Sequence, residues 1–380
     1  NIHSENFKIG ILGGGQLGRM TLQKAYDLNL NISILDPASN APCRDLAKTF
    51  VQGDFKDFDD VYHFGKDKNV LSIEFEDVNA DALQKLEDEG VKVFPQPRVL
   101  KIIQDKGLQK NFYRKNNFAT PAYELIGSKE EIKDSKLQFP LFQKLRTSGY
   151  DGYGVQKIDS AEDFEAGFDA PSVIEEAVDL EKELSVIVAR NEDGELKTFP
   201  LVELAFNPEA NMVEFLFSPA NVSRMVEQTA YKLAEDIIKE LDMVGILAVE
   251  MFLDKNGKLM VNEIAPRTHN SGHHSIEANI TSQFEQHLRA ILNLPLGDTR
   301  SIMPAVMVNI LGEKDAKGTA VYEGMHSALA TPGVYPHLYG KEMVKPFRKM
   351  GHITILDENL QKAKEKAKKI KQTVKASAAK

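Results

Sequence analysis

No apolar run in this sequence approaches the roughly 20 residues that a membrane-spanning helix requires, and no hydrophobic segment of the signal-peptide kind opens it. A membrane is therefore not an expected partner. Cysteine is almost missing: Cys43 stands alone, so no internal disulfide can form, and the thiol reads as a small buried apolar side chain in a reducing, cytoplasmic setting. A basic excess is missing too. With 47 Lys and Arg against 56 Asp and Glu the net charge is −9, which argues against nucleic acid as a partner, since phosphate-backbone affinity needs a basic surface. The local exception is "QKAKEKAKKIKQTVKASAAK" (361–380), whose Lys, Glu and Ala alternation reads as a solvated helix. The first residue is Asn rather than Met, and residues 1–6 are set aside as a processing remnant. No internal repeat is found.

What is present fits a globular chain. Apolar content of 42% with 27% charged residues, over 380 positions, suits two or three packed units. "KIGIL" (8–12), "LGRMTLQKAYDL" and "NISILD" (31–36) read as strand, helix and strand, and "VLSIEF" (70–75), "NADALQKLEDEG" (79–90) and "VKVF" (91–94) repeat the alternation. That pattern predicts a doubly wound α/β domain with a parallel sheet over residues 1–98, closed by "PQPR". A helical stretch (98–117) and a strand "FPLFQK" (139–144) follow. "ELSVIVAR" and "LKTFPLVEL" flank "NEDGE", a hairpin signal, and "ILAVEMFLD" and "KLMVNEIA" flank "KNG", a second one. Between them, "SRMVEQTAYKLAEDIIKELDM" is the longest amphipathic helix. The second unit is placed at 99–299, and a small β-rich cap with the Lys-rich tail at 300–380.

Four motifs carry chemistry. "GGGQLG" (13–18) follows a strand and opens a helix, with Asp36 ending the next strand; its amides suit an anion, and a dinucleotide is the weaker reading, because such a turn also needs glycine for packing alone. "GYDGYG" (149–154) lies five residues beyond Lys144, and Lys106 lies on the preceding helical stretch, so a glycine-rich hairpin and two cations flank one candidate phosphate pocket. "VIEEAVDLEKELSV" (173–186) offers strand-end backbone for a flat base and Glu183 for ribose hydroxyls; Glu181 and Lys182 read as exposed charge. Finally, Glu250 and Glu263 each interrupt an apolar run, where an unpaired carboxylate is costly to bury. Their oxygen ligands suit Mg²⁺, or Mn²⁺, better than zinc, although His269, His273 and His274 nearby keep a zinc site open, as an ion pair with Arg267 keeps open a purely structural role.

In this order the motifs resemble the ATP-grasp ligases and, within them, the N5-carboxyaminoimidazole ribonucleotide synthetases. The resemblance spans about residues 8–356 and rests on "GGGQLGRM", "EFEDV", "GYDG", "NEIAPRTHNSGHH" and "RKMGH". It implies an α/β ATP-grasp architecture with a glycine-rich lid at about 118–178, and ATP, bicarbonate and 5-aminoimidazole ribonucleotide as substrates. ATP would be held by Lys106, Lys144, the lid residues Gly149, Tyr150, Asp151, Gly152, Tyr153, Gly154 and Val155, the backbone of Glu175, Glu176, Ala177 and Val178, Glu183, Asn262 and Glu263. Glu250 and Glu263 would take the metal. Arg267, Asp151, His269 and Asn270 would be catalytic, and Gln16, Glu74, Tyr150, Asn270, Ser271, Lys341 and Arg348 would face the ribonucleotide, the last two at its phosphate. A homodimer is also implied.

The chemistry is coherent. Bicarbonate is a poor electrophile, so phosphoryl transfer to carboxyphosphate activates it, and the protein's task is to neutralise charge and exclude water. Where relatives commonly carry a basic residue and a glutamine in the lid, this chain has Tyr153 and Val155, so those positions are assigned through backbone alone. "ELAFNPEAN" (203–211) also departs from the usual pattern. The alternatives are a formate-dependent glycinamide ribonucleotide transformylase, which resembles "HDTG" where this chain has "HNSG", and a non-catalytic nucleotide-binding module.

Overall fold

The computed structural model describes residues 1–147, 154–207 and 212–379. Its first unit alternates β1 (Lys8–Leu12), α1 (Gln16–Asp27), β2 (Asn31–Asp36), β3 (Thr49–Gln52), α2 (Phe58–Gly65), β4 (Val70–Ile73), α3 (Ala80–Asp88) and β5 (Lys92–Phe94). The strands order β3-β2-β1-β4-β5 and pair in parallel, with Ile9 opposite both Ile32 and Val70. Both faces of β1, β2 and β4 are apolar because helices cover them. Their C-terminal ends converge on the glycine turn, where such sheets open a crevice. Gly13 sits at φ +102°, and a Cβ on Gly15 would lie 2.5 Å from Glu74 Oε1, so the turn's glycines answer to a left-handed backbone and to a close carboxylate. Cys43 is fully buried under this turn.

The predicted helical stretch over 98–117 is two helices, α4 (Pro97–Ile103) and α5 (Lys106–Lys115). The break lies at Asp105, whose carboxylate accepts from the Gly107 and Leu108 amides at 2.7 and 3.2 Å and so starts a new helix. A four-stranded antiparallel sheet follows: β6 (Tyr123–Ile126), β7 (Leu141–Leu145), β8 (Val155–Ile158) and β9 (Ser172–Glu176), ordered β6-β9-β7-β8.

The long central strand β10 (Leu180–Arg190) precedes β11 (Leu196–Thr198) and β12 (Val202–Asn207). The predicted single strand over 196–204 is thus divided at Pro200, which has no N–H to give to a ladder. After β13 (Met212–Ser218) comes α6 (Arg224–Glu240), capped by Ser223 and burying Ala230, Ala234, Ile237 and Ile238. Each of those two isoleucines contributes about 1.5–3 kcal/mol by leaving water. β14 (Gly245–Asp254) and β15 (Leu259–Ala265) form the second hairpin, followed by α7 (Ser275–Ala278) and α8 (Gln283–Ile291).

The last elements are β16 (Ala305–Leu311), β17 (Gly318–Glu323), α9 (Met325–Leu329), β18 (Val334–Leu338), β19 (Met343–Val344), β20 (Lys349–Leu356), α10 (Leu360–Thr373) and β21 (Lys375–Ala378). β16, β20 and β18 prolong the central antiparallel sheet, in the order β15-β14-β10-β12-β13-β16-β20-β18, because β13 pairs with β16. The Lys-rich tail is not a merely solvated helix. Ala363, Ala367 and Ile370 recur at helical spacing and are buried, Lys366 pairs with Asp357 and Lys371 with Glu214, and the chain ends by pairing β21 with β17. Among the described residues, no helix is long and apolar enough to cross a membrane.

Four histidines are buried in this framework. His273 and His352 have ring centroids 4.8 Å apart, and His352 stacks on His337 at 4.5 Å. Burial holds His273 and His352 well below the ordinary imidazole value, and His274 and His287 at about 4. Folded values below the unfolded one mean that protons favour the unfolded chain, so stability is lost as pH falls from about 6.5 towards 4. By pH 5, His274 and His287 should each cost on the order of 1–2 kcal/mol. Melting temperatures measured from pH 8 to pH 5 should therefore decline below neutrality; a flat profile would contradict neutral burial.

Candidate active site

The glycine turn is already satisfied by this chain's own carboxylates. Gly14 N–H donates to Asp36 Oδ2 at 2.7 Å, and Leu17 N–H to Glu74 Oε1 at 3.2 Å. That arrangement does not suit a dinucleotide pyrophosphate, which would need those amides and would meet two acids there. Burial pushes the Glu74 carboxyl up, against the pull of the Gly15 and Leu17 amides. Gln16, half-buried, opens α1 beside it.

The acidic centre follows from strand register. Glu250 on β14 lies directly opposite Glu263 on β15, and Ser185 on β10 lies opposite Glu250 from the other side, so the three side chains share one face of the sheet. Glu183, two residues before Ser185, falls on that face as well. Lys106 Nζ meets Glu263 at 2.8 Å and holds its carboxyl below the usual range. Burial, then Glu263 and Glu183, push Glu250 up. Burial likewise brings Glu183 to about 7, against the pull of Lys144. Two hard oxygen donors crowded across one ladder fit a divalent cation of the Mg²⁺ type, since a charge between them would relieve the repulsion that raises Glu250.

The histidines do not converge as a zinc site. His273 is buried against His352 and shares a hydrogen bond with Gln283, while His274 is buried with no partner on either ring nitrogen among the described residues. His269 turns towards the acids instead, its Nε2 lying 3.5 Å from Glu250 Oε1. Its Nδ1 contacts Ser271 Oγ at 2.9 Å, which contacts Ser185 Oγ at 2.8 Å. Ser271, expected to face the ribonucleotide, is 2% exposed and stands behind His269. Asn270, also placed at the substrate, has its amide in a reciprocal pair with Asn309, at 2.8 and 2.9 Å.

Among the described residues, Arg267 forms no ion pair with Glu250 or Glu263. Its guanidinium forms a two-point ion pair with Glu76 of "EFEDV", through Nε to Oε2 and Nη2 to Oε1, and Nη1 donates to the Thr268 carbonyl at 3.1 Å. Lys144 on β7 ion-pairs with Glu175 and donates to Asn262 Oδ1 at 3.0 Å. Glu175 was expected to act through its backbone, yet its carboxylate is buried between Lys144 and Lys110, the latter 2.8 Å away. Burial alone would raise that carboxyl, but the two lysines hold it well below the usual range. Of the strand-end amides, Glu176 donates to Ala122 O and Ala177 to Pro140 O, both at 3.0 Å, whereas the Val178 amide has no partner among the described residues.

Lys110 and Glu76 escaped the sequence reading. Lys110 carries a local signal, four residues after Lys106 on the same helix face; Glu76 carries none, because its partner lies 191 positions away. Lys341 Nζ donates to the Lys349 carbonyl at 2.7 Å and Arg348 Nη1 to that of Met343 at 2.6 Å, so both cations belong to the β19–β20 corner. Gly149, Tyr150, Asp151, Gly152 and Tyr153 lie outside the described residues; Gly154 has φ +74°, and Val155 pairs with Lys144 in the β7–β8 ladder.

Glu175→Gln leaves two buried ammonium groups sharing no carboxylate. Removing one partner of such a network costs about 3–5 kcal/mol, so denaturant unfolding should show a loss of that order. A change under about 1 kcal/mol would mean that water already screens the triad.

The chain matches the ribonucleotide synthetase preATP-grasp domain over residues 7–104, the ATP-grasp domain over 111–284 and the phosphoribosylaminoimidazole carboxylase C-terminal domain over 305–366. It is 39% identical over 361 residues to the chloroplastic phosphoribosylaminoimidazole carboxylase of Vigna aconitifolia, covering 93% of this chain but 64% of that protein. Similar fungal carboxylases are likewise longer, the chain spanning 63% of that from Candida glabrata. With the N5-carboxyaminoimidazole ribonucleotide synthase of Bacillus subtilis it shares 36% identity over 358 residues, 92% of this chain and 91% of that one. The crystal structure of N5-carboxyaminoimidazole ribonucleotide synthetase from Thermotoga maritima superposes with a TM-score of 0.91 at 40% identity, over 98% of this chain and 100% of that one. The Aspergillus clavatus synthase in complex with ADP and 5-aminoimidazole ribonucleotide superposes at 0.88 and 33% identity, over 96% and 98%. With three domain families matched in order and whole-length likeness to solved structures, this chain belongs to the N5-carboxyaminoimidazole ribonucleotide synthase family of ATP-grasp proteins.

Proposed function

We propose that this chain is an ATP- and bicarbonate-dependent ligase that carboxylates 5-aminoimidazole ribonucleotide to N5-carboxyaminoimidazole ribonucleotide in purine biosynthesis. The observation that carries the reading is the convergence of Lys106, Lys144, Glu183, Asn262, Glu250 and Glu263 in one polar cluster, with His269 beside Glu250. Lys106 and Lys144 neutralise the phosphates of ATP, and Glu183 accepts from ribose hydroxyls. Glu250 and Glu263, with Asn262 beside them, hold Mg²⁺ or Mn²⁺, which when bound neutralises charge on the transferring phosphoryl group.

Bicarbonate oxygen attacks the terminal phosphorus of ATP, the bond to ADP breaks, and carboxyphosphate forms. The exocyclic amine of the ribonucleotide then takes the carboxyl group, either from carboxyphosphate or from the CO₂ it releases, and gives up one proton, while phosphate leaves with the electron pair of the broken C–O bond. Arg267 holds the planar anion, Lys341 and Arg348 hold the ribonucleotide phosphate, and Gln16 and Glu74 face its base side. The glycine-rich lid is read as closing over the labile intermediate, with its Tyr150 and Asp151 facing bicarbonate and the ribonucleotide. The chain is read as three units divided near 98 and 299, acting as a homodimer in the cytoplasm.

ADP release should be measured with Mg-ATP and bicarbonate, with and without 5-aminoimidazole ribonucleotide, and with formate plus glycinamide ribonucleotide as the control pair. Stimulation by the aminoimidazole nucleotide is expected; stimulation by the control pair alone would move the chain to the transformylase reaction. Glu263→Gln should abolish that release while the chain still folds, as circular dichroism would show. Undiminished release would remove Glu263 from the metal. Arg348→Ala should raise KM for the ribonucleotide more than KM for ATP, and equal rises would take it out of the phosphate site.

A further inference from the structure

We infer that Glu76 is a positioning residue for the carboxylation: its two-point ion pair fixes the plane and rotation of the Arg267 guanidinium, and thereby sets how tightly bicarbonate is held. The inference rests on the proposed reaction. A single contact leaves a guanidinium able to turn about its long side chain; two parallel contacts, Nε to Oε2 and Nη2 to Oε1, do not. The pair is also sheltered, with side-chain exposures of 17% for Arg267 and 25% for Glu76, so solvent screens it less than a surface pair.

Glu76 is itself anchored. Gln104 Nε2 donates at 2.8 Å to the carbonyls of both Glu76 and Val78, which holds the segment after β4 in place. Two residues earlier, Glu74 accepts the Leu17 amide of the glycine turn. One short segment therefore reaches the start of α1 with its first carboxylate and, with its second, the arginine that follows β15. Arg267, which follows β15, is thus oriented by a carboxylate of the segment after β4. An arginine placed to clamp a planar anion needs that orientation, because misplacement of about 1 Å can cost a hundredfold in rate.

A strut that merely joined the two segments would lower stability and disturb all substrates alike, and this difference makes the inference testable. KM for bicarbonate, ATP and ribonucleotide, kcat and melting temperature are compared for the parent, Glu76→Gln and Glu76→Asp. Glu76→Gln should raise KM for bicarbonate about tenfold or more, with KM for ATP within about twofold and little change in melting temperature; Glu76→Asp, which keeps the charge, should recover part of the loss. In an Arg267→Ala background, Glu76→Gln should add nothing further, since the two act as a unit. An unchanged KM for bicarbonate in Glu76→Gln, or equal rises for all three substrates with a fallen melting temperature in both variants, would overturn the inference. If the parent itself shows no ADP release stimulated by the aminoimidazole nucleotide, the proposed reaction fails first, before any variant is compared.

Discussion

Everything at the cleft answers to the crowding of carboxylates on one face of one sheet. The β14–β15 register sets Glu250 against Glu263, and β10 brings Glu183 to the same face. Like charges so placed cannot all be ionised and buried without cations. Lys106 supplies one from α5 and Lys144 another from β7, the latter already shared with Glu175. Three pieces from different parts of the chain, the capped helix, the four-stranded sheet and the central hairpin, are thus linked by ion pairs as well as by apolar packing. Glu250 carries the mark of that crowding: burial, then Glu263 and Glu183, push its carboxyl up against the weaker pull of Lys349 and Lys106.

The same logic sets buried polar residues behind partly exposed ones. Glu175, Lys110, Ser185, Ser271 and Asn309 are almost completely buried, and their polar atoms face other side chains. Around them the pattern repeats: a partly exposed group is backed by a buried one. Lys144 is backed by Glu175, His269 by Ser271, and Asn270 by Asn309. Buried polar groups satisfied in this way rigidify a site, whereas each one left unpaired would carry the full cost of desolvation.

Much of this was legible in the sequence where the signal is local. β1, α1, β2 and β4 announce themselves by period and glycine, and Glu250 and Glu263 stand out as lone acids in apolar runs. Helix α10 was misjudged because alanine contributes little to an apolar stripe, though Ala363 and Ala367 pack as firmly as larger residues. The division of α4 from α5 turns on one capping side chain, which a periodicity count averages away. The partners of Arg267, Lys144 and Asn270 lie in chain segments far removed, 191, 31 and 39 positions away for Glu76, Glu175 and Asn309, and spacing alone contains nothing of such distances.

The continuation of the central sheet through β13 into β16, β20 and β18 has its own consequence. Beyond the irregular segment that follows α8, the last third of the chain is joined to the central sheet by a ladder of backbone hydrogen bonds, with Phe217 opposite Val306. A truncation after about residue 300 would not release an independent folding unit. It would strip β13 of its neighbour and leave an apolar strand with unpaired amides and carbonyls, the kind of edge that recruits strands from other molecules. In this architecture the terminal strands cover an edge of the central sheet that such a truncation would expose.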